Sequence, residues 1–350
     1  MQKIVIVGGG AGGLELVSRL SRTLGKKGLA EIILVDRQPT HVWKPLLHEV
    51  AAGVIDKNSD GVDYRIHAAR HNYQFQLGTM SDIDHKNKLI KLDPILDEQN
   101  EILIPNREIN YDYLVLAIGS VSNDFDTPGV SDNSYFLDSL AQAERFHKAL
   151  LNQLLRINQQ SDLSSTLKVA IVGAGATGTE LAAQLHHVAN LARSYGMPKM
   201  SSKRLVISII EAGDRILPAL PEKIANSAKS ALTKLGINVL ESTRITKAQK
   251  EGFITNEEVL IEADLLVWAA GVKAPDFIQN LNLFETNRAQ QILVNASLQS
   301  TVCDEIFVIG DCCGFKQDDG SWVPPRAQSA HQMASVAATN LINIITCFSI

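Results

Sequence analysis

Lys3-Ile-Val-Ile-Val-Gly8-Gly-Gly10-Ala-Gly-Gly13 stands at the N-terminus, and Lys168-Val-Ala-Ile-Val-Gly173-Ala-Gly175-Ala-Thr-Gly178 repeats its pattern 165 residues later. In each copy a short apolar run, suited to a buried parallel strand, feeds three glycines in the spacing GxGxxG. The first glycine permits a tight turn, the second lets backbone approach a pyrophosphate, and the third lets the following helix pack on the strand. That helix then offers unpaired amides and a partial positive charge to phosphate. The pattern alone is weak evidence, since a βαβ unit can carry turn glycines and bind nothing. Here the flanks agree with it. After the first copy, Leu14, Leu16, Val17, Leu20 and Leu24 trace an amphipathic helix, and the run Ile32–Val35 ends in Asp36. After the second, Leu181–Leu191 reads as helix and Leu205–Ile210 ends in Glu211. A carboxylate in that place accepts hydrogen bonds from both ribose hydroxyls of an adenosine. It stands farther from its glycines than the usual interval of about 20 residues, chiefly in the second copy, where Ala192–Arg204 inserts a polar loop.

The repeat extends further. Tyr113-Leu-Val-Leu-Ala117-Ile-Gly119 and Asp264-Leu-Leu-Val-Trp-Ala-Ala-Gly271 are apolar strands closing on a glycine, 111 and 98 residues beyond the first glycine of their copies. Similar spacing predicts two similarly built α/β domains of the FAD/NAD(P)-binding kind. Each closing strand should lie beside its nucleotide strand, with Ala117, Gly119 and Gly271 near the ligand at the carboxyl end of the sheet. Gly119–Ser134 is rich in Gly, Ser, Asn, Asp and Pro and reads as a hinge. A helix with Leu140, Ala143, Phe146, Leu150, Leu151, Leu154 and Leu155 on one face follows it. Later, Glu305-Ile-Phe-Val-Ile-Gly-Asp311 is a third buried strand. Pro324-Pro325 then opens a helix from about Arg326, with Ala330, Met333, Ala334, Ala337, Leu341 and Ile345 on its apolar side. The simplest architecture returns this last strand and helix to the first domain. Residues 1–120 and 299–350 then form one Rossmann-like domain, with 121–298 inserted as the other.

At 350 residues the chain exceeds the usual single-domain size of about 100 to 200, so two full cores are expected. A net charge of −5 with interspersed signs leaves no basic stripe, which argues against nucleic acid as a partner. The N-terminus enters its first strand without a signal or transit peptide, so a cytoplasmic location is expected. Cys303, Cys312, Cys313 and Cys347 show neither metal-ligand spacing nor the CxxxxC by which a dithiol meets a flavin. No metal is expected, and Cys312 and Cys313 read as reduced thiols.

Two dinucleotides in one chain make chemical sense when one is a held flavin and the other a diffusible nicotinamide, the protein supplying position and electrostatics. Asp311 suits a ribityl or pyrophosphate contact, the alternative being a solvated loop acid. The helix from Arg326 could face the flavin edge where reduction places negative charge. Glu180 is expected in the first turn after the second fingerprint, where it could simply stabilise the helix dipole. Glu211 favours NADH, since a carboxylate repels a 2′-phosphate; Arg215 is the nearby cation that weakens this.

The chain resembles the type II NADH dehydrogenases, single-chain NADH:quinone oxidoreductases that pump no protons and belong to the two-dinucleotide-domain flavoproteins. Thr40-His-Val-Trp-Lys44-Pro45-Leu-Leu47-His-Glu-Val-Ala-Ala-Gly53 is similar to the segment that wraps the flavin in that family, which implies Lys44, Pro45 and Leu47 beside the isoalloxazine. Gly213-Asp-Arg-Ile-Leu-Pro218 and Trp268-Ala-Ala-Gly-Val-Lys273 resemble its NADH-domain signatures. Ala327-Gln328-Ser-Ala330-His-Gln332 is similar to its AQxAxQ quinone motif. On a helix Gln328 and Gln332 share a face, two amides able to donate to a quinone carbonyl, while Ala327 and Ala330 would leave room for a flat ring. The resemblance implies FAD at the first fingerprint, NADH as co-substrate at the second, a quinone acceptor, and Glu180 near the nicotinamide as a proton-transfer residue. It also implies attachment to the inner face of the cytoplasmic membrane through a C-terminal region. Family members continue for some 70 to 90 residues past this chain's end at Ile344–Ile350. This chain is therefore expected to be soluble, to hold FAD less firmly, and to expose an apolar groove; a homodimer is compatible with it. Two other functions fit the fingerprints: a related flavoprotein serving another acceptor, such as a ferredoxin or sulfide with quinone, and a truncated NADH-binding redox module of low activity.

Overall fold

A computed structural model describes residues 1–55 and 61–347. The chain divides into two compact units, Met1–Trp43 with Gly61–Val121 and Val272–Ile350, and Lys44–Asp60 with Ser122–Gly271.

In the first unit a wholly parallel five-stranded sheet runs in the order Ile306–Val308, Tyr113–Leu116, Gln2–Val7, Ala30–Asp36, Gln74–Leu77. Its central strands are unbroken apolar runs because both faces are covered, the signature of parallel sheets. Ile4, Val5, Ile6, Leu34, Val35, Leu114 and Val115 have no measurable exposure, and each contributes about 1.5–3 kcal/mol by leaving water. The fingerprint turn is thus anchored at the stiffest place in the unit. Helices Ala11–Leu20 and Ala327–Cys347 pack on each other over this sheet. A separate antiparallel layer is formed by Met80–Asp84, Leu89–Leu92 and Arg107–Asn110.

The second unit repeats the plan. Its parallel sheet runs Asn238–Leu240, Leu205–Ile210, Leu167–Val172, Leu265–Trp268, and its antiparallel layer is Ile245–Gln249, Gly252–Thr255 and Leu260–Glu262. In both units the antiparallel layer lies in sequence between nucleotide strand and closing strand, which accounts for the long intervals to Gly119 and Gly271. Helix Ala176–Ala192 follows the second fingerprint. Helix Leu140–Gln159 begins at a capping box, Ser139 accepting from the Gln142 amide while the Gln142 side chain accepts from the Ser139 amide.

Two boundaries differ from the sequence expectation. The chain re-enters the first unit at Val272 rather than at residue 299. Ala274, Ile278 and Ile292 are buried in the first core, and Ile292–Leu293 pairs in parallel with Cys313–Gly314. Residues 44–55, expected within the first domain, group with the second unit, because helix Leu47–Ala52 packs on helices Leu140–Gln159 and Ala176–Ala192.

Helix Ala327–Cys347 buries the face the sequence marks: Ala330, Met333, Ala334, Ala337, Leu341 and Ile345. No helix among the described residues is long and apolar enough to cross a membrane. Phe348, Ser349 and Ile350 of the expected chain end lie outside the described residues.

Two candidate dinucleotide sites and a glutamine-bearing helix

The first fingerprint shows what each glycine does. Gly8 has φ +102°, and a Cβ there would stand 2.3 Å from the Ala117 carbonyl oxygen, so only glycine admits the closing strand. A Cβ on Gly13 would stand 1.9 Å from the Gly8 oxygen. At Gly10 and Gly119 nothing lies within 4 Å of an added Cβ; these are the open positions at which a ligand's backbone-like groups can approach. Gly10 caps helix Ala11–Leu20 without a side-chain acceptor, and no acid stands in the first turn. The first-turn amides therefore keep their capacity for an anion.

Asp36 clasps this turn. Its Oδ2 accepts from the Gly9 amide at 2.6 Å and its Oδ1 from the Gln38 amide at 2.8 Å. Each oxygen retains a lone pair for a ribose hydroxyl. Tyr64, buried to 2% exposure, donates its hydroxyl to the Gly9 carbonyl at 2.6 Å; burial pushes this phenol well above its ordinary range, so it stays a donor. At the far strand, Asp311 Oδ2 accepts from Ser120 Oγ at 2.7 Å and the Asp311 carbonyl accepts from Gln291 Nε2 at 2.9 Å. Asp311 is thus held in place rather than left as a solvated loop acid. These features fit an adenine dinucleotide: open glycines, an uncapped helix start and a ribose acid.

The second fingerprint is the same device. Gly173 has φ +99° and would put a Cβ 2.6 Å from Ala269; Gly175 faces open space; a Cβ on Gly178 would stand 2.0 Å from the Gly173 oxygen. Glu211 Oε2 accepts from the Ala174 amide at 2.9 Å and Oε1 from the Gly213 amide at 2.9 Å. Gly271 has φ +70° and packs beside Phe125. Arg215 does not face the acid's partner: its guanidinium donates to the carbonyls of Leu220 and Pro218, at 2.9 Å each. Glu180 is corrected in one respect. Helix Ala176–Ala192 has no acid in its first turn, so Glu180 lies past the turn where a carboxylate best offsets the dipole. Its Oε2 stands 3.6 Å from His48 Nδ1.

On helix Ala327–Cys347, Gln328 and Gln332 are both exposed and one turn apart. Between them His331 stacks on Trp43, ring centroids 5.9 Å apart at 28°. Ala327 is half-buried. Ala330 departs from the expectation that it leaves room for a ring. It is 5% exposed and packs against Gly12, where an added Cβ would meet its methyl at 3.3 Å. Its smallness seats the glutamine helix on the helix that begins at the first fingerprint. Lys44 and Pro45 form a short 3-10 turn, and Leu47 is buried at the start of helix Leu47–Ala52.

Tyr64, Ser120, Gln291 and His48 were not found by sequence reasoning. Their partners stand 55 and 191 residues away for Tyr64 and Ser120, and no local spacing announces such contacts. His48 lies within a recognised segment, yet a lone histidine on a helix carries no signal.

All four cysteines are free thiols. Burial pushes the Cys312 thiol up to about 12, and Cys313 and Cys303 are raised by the same cause. Such thiols are inert as nucleophiles. With the native protein, one of four thiols, Cys347, should react rapidly with Ellman's reagent, and the other three only after denaturation. Two or more fast thiols in the folded protein would contradict this burial.

Residues 2–334 match the pyridine nucleotide-disulphide oxidoreductase family. A type II NADH:quinone oxidoreductase of Haemophilus influenzae is 45% identical over 355 residues, covering 97% of this chain and 80% of that protein. The chain belongs to the type II NADH:quinone oxidoreductases. The fold agrees: NDH2 from Plasmodium falciparum, solved in complex with RYL-552, superposes with a TM-score of 0.84 at 21% identity, covering 98% of this chain and 83% of that one. The sulfide:quinone oxidoreductase of Aquifex aeolicus gives a TM-score of 0.77 at 17% identity, over 99% and 78% of the two chains. Fold alone therefore does not choose the acceptor within these proteins.

Proposed function

We propose that this chain oxidises NADH and reduces a membrane quinone by way of bound FAD, without pumping protons. Gly8, Gly10, Gly13, Asp36, Ala117, Gly119, Asp311 and Ala327, with Lys44, Pro45 and Leu47, are assigned to FAD. Gly173, Gly175, Gly178, Glu211 and Gly271 are assigned to NADH, and Gln328, Gln332 and Glu180 to the reaction itself. The observation that carries the assignment is the paired clasp: in each unit an acid at the end of the second strand grips the amide following the first glycine. That arrangement suits the ribose of an adenosine, which favours FAD over a mononucleotide flavin. FAD when bound supplies a two-electron acceptor that can pass its electrons to a quinone. The protein's part is to fix both nucleotides and to keep donors ready where charge develops. Gln328 and Gln332 are those donors on the acceptor side. Because the quinone is a lipid, the working enzyme sits peripherally on the inner face of the cytoplasmic membrane, and a homodimer is compatible with this placement.

The decisive measurement follows flavin absorbance after rapid mixing, first with NADH and then with a short-chain ubiquinone. NADH should bleach the flavin and quinone should restore it. In Gln328→Leu and Gln332→Leu the bleaching should persist while the recovery slows about tenfold or more, the loss of a hydrogen bond worth about 1.5 kcal/mol. Recovery at the wild-type rate in both variants would remove the glutamines from the quinone site, and absence of bleaching in the wild type would overturn the function.

A further inference from the structure

Quinol formation needs a proton that hydride does not bring. NADH gives up two electrons and one proton as hydride, whereas a quinol carries two electrons and two protons, so each turnover draws one proton from water. The two glutamines cannot deliver it, because an amide donates hydrogen bonds without giving up its proton. Between Ala327 and Cys347 the helix holds no Asp, Glu, Lys or Arg. Its titratable side chains are His331 and Cys347, and a rise of about 1.5 Å per residue puts Cys347 about 24 Å farther along the axis. His331 therefore stands alone among the glutamines. It follows Gln328 by three positions and adjoins Gln332, and positions three apart on a helix are neighbours on its surface.

The His331 ring is held on one side and open at its polar atoms. Trp43 stacks on it with ring centroids 5.9 Å apart at 28°. Trp43 is in turn met edge-on by His41, at 6.1 Å and 82°. His41 Nδ1 stands 3.5 Å from the Tyr64 hydroxyl, which donates to the Gly9 carbonyl at 2.6 Å. The stack is thus tied back to the first fingerprint, and every residue of this chain of contacts belongs to the first unit. Burial pushes the His41 imidazole below its ordinary range, so the inner histidine is a poor proton carrier. The outer one differs. His331 is half-buried, and among the described residues neither of its ring nitrogens has a hydrogen-bond partner; its main-chain carbonyl alone is engaged, by Ser335 Oγ at 3.0 Å. Imidazole accepts a proton on one nitrogen while releasing one from the other. A ring with both nitrogens open can be recharged from water after each release.

We propose that His331 is the proton donor to the quinone, its ring held at the glutamine face by Trp43. Gln328 and Gln332 orient the quinone through its carbonyl oxygens. The imidazolium of His331 releases one N–H proton to such an oxygen as the quinone is reduced, and the O–H bond of the quinol forms there. Water then returns a proton to the ring. One N–H bond breaks for each O–H bond formed, and no electrons pass through the histidine. The inference rests on the quinone-reductase reading, and the two fail separately. Recovery of the bleached wild type by quinone establishes that reading, and the His331 variants then decide the donor alone.

The test uses His331→Phe, which keeps an aromatic ring against Trp43 and removes the nitrogens, and His331→Ala, which opens a space for free imidazole. Each is checked for bound flavin and Tm. In His331→Phe the bleaching by NADH should be unchanged, while reoxidation by the short-chain ubiquinone should slow by about a hundredfold, the lower range for a positioned acid–base group. The quinone concentration at half-maximal reoxidation rate should stay close to that of wild type, since the stack that shapes the face is kept. The solvent deuterium isotope effect on reoxidation should rise, because water must now supply the proton unaided. In His331→Ala, imidazole added to the buffer should restore about tenfold of the lost rate, whereas it should do nothing for wild type or for His331→Phe. If His331→Phe fails to fold, His331→Ala and its rescue by imidazole carry the test unaided. Reoxidation of His331→Phe at the wild-type rate would overturn the proposal. So would a loss seen wholly as a higher quinone requirement, or an absence of imidazole rescue in His331→Ala, since each would leave the histidine a packing residue.

Discussion

Gly178→Ala is expected to yield a yellow protein that NADH no longer bleaches, whereas Gly13→Ala should yield a colourless one. The two substitutions add the same methyl at equivalent places. On Gly178 it would stand 2.0 Å from the Gly173 carbonyl oxygen, and on Gly13 it would stand 1.9 Å from that of Gly8. Real contacts of this kind need well over 3 Å, so the helix must withdraw from the strand by more than an ångström. Overpacking of this sort costs about 1–3 kcal/mol, which a core the size of either unit survives. The ligand does not survive it, because the displaced helix start is the anion site, and a misplacement of about 1 Å can cost a hundredfold. With Gly178→Ala, dithionite should still bleach the flavin while NADH does so at least about a hundredfold more slowly. With Gly13→Ala, flavin should be absent after purification and Tm lowered. Bleaching of Gly178→Ala by NADH within a factor of two of wild type would refute the assignment of NADH to the second fingerprint.

The symmetry that makes this pair of variants informative was legible in the sequence because every part of it is local. A strand ending in glycine, a helix without an N-cap acid and a second strand ending in Asp36 or Glu211 are each fixed by residue type and position. The sheet orders follow from unbroken apolar runs, which demand cover on both faces. What the sequence hid depends on chain reversal. Tyr64 holds Gly9 across 55 residues and Ser120 holds Asp311 across 191, and neither pairing leaves a mark in spacing. The re-entry at Val272 was missed because residues 274–294 form short turns and single bridges rather than a periodic run. Ala330 shows a subtler failure. A small residue in a ligand motif invites the reading that it makes space for the ligand, but here the space is filled by Gly12, and the motif's alanine is a packing residue. His48 was invisible for the same reason as Tyr64: its partner Glu180 comes from another helix, and no local pattern specifies that contact.

The last expectation concerns the choice of nicotinamide nucleotide, where one substitution should produce a gain as well as a loss. Glu211 is held by two backbone amides, Ala174 and Gly213, so its charge cannot swing away from a ligand's ribose. A 2′-phosphate brought there meets a fixed like charge, which costs several kcal/mol, and each 1.4 kcal/mol is a factor of ten. Arg215 does not relieve this, because its guanidinium is engaged by the Leu220 and Pro218 carbonyls and turning it outward would break both bonds. Glu211→Gln keeps the shape and removes the charge. Its amide oxygen can retain one backbone donor, while its NH2 faces the other without an acceptor, so some stability is lost. For NADH, a charge-assisted bond to the ribose weakens to a neutral one, and kcat/KM should fall about tenfold. For NADPH the repulsion disappears, and the ratio of NADPH to NADH kcat/KM should rise about a hundredfold. Steady-state rates with both nucleotides, on protein shown to retain its flavin, measure this ratio. An unchanged ratio would mean that the 2′ position is read by another group, and that Glu211 serves only to brace the Gly173 turn.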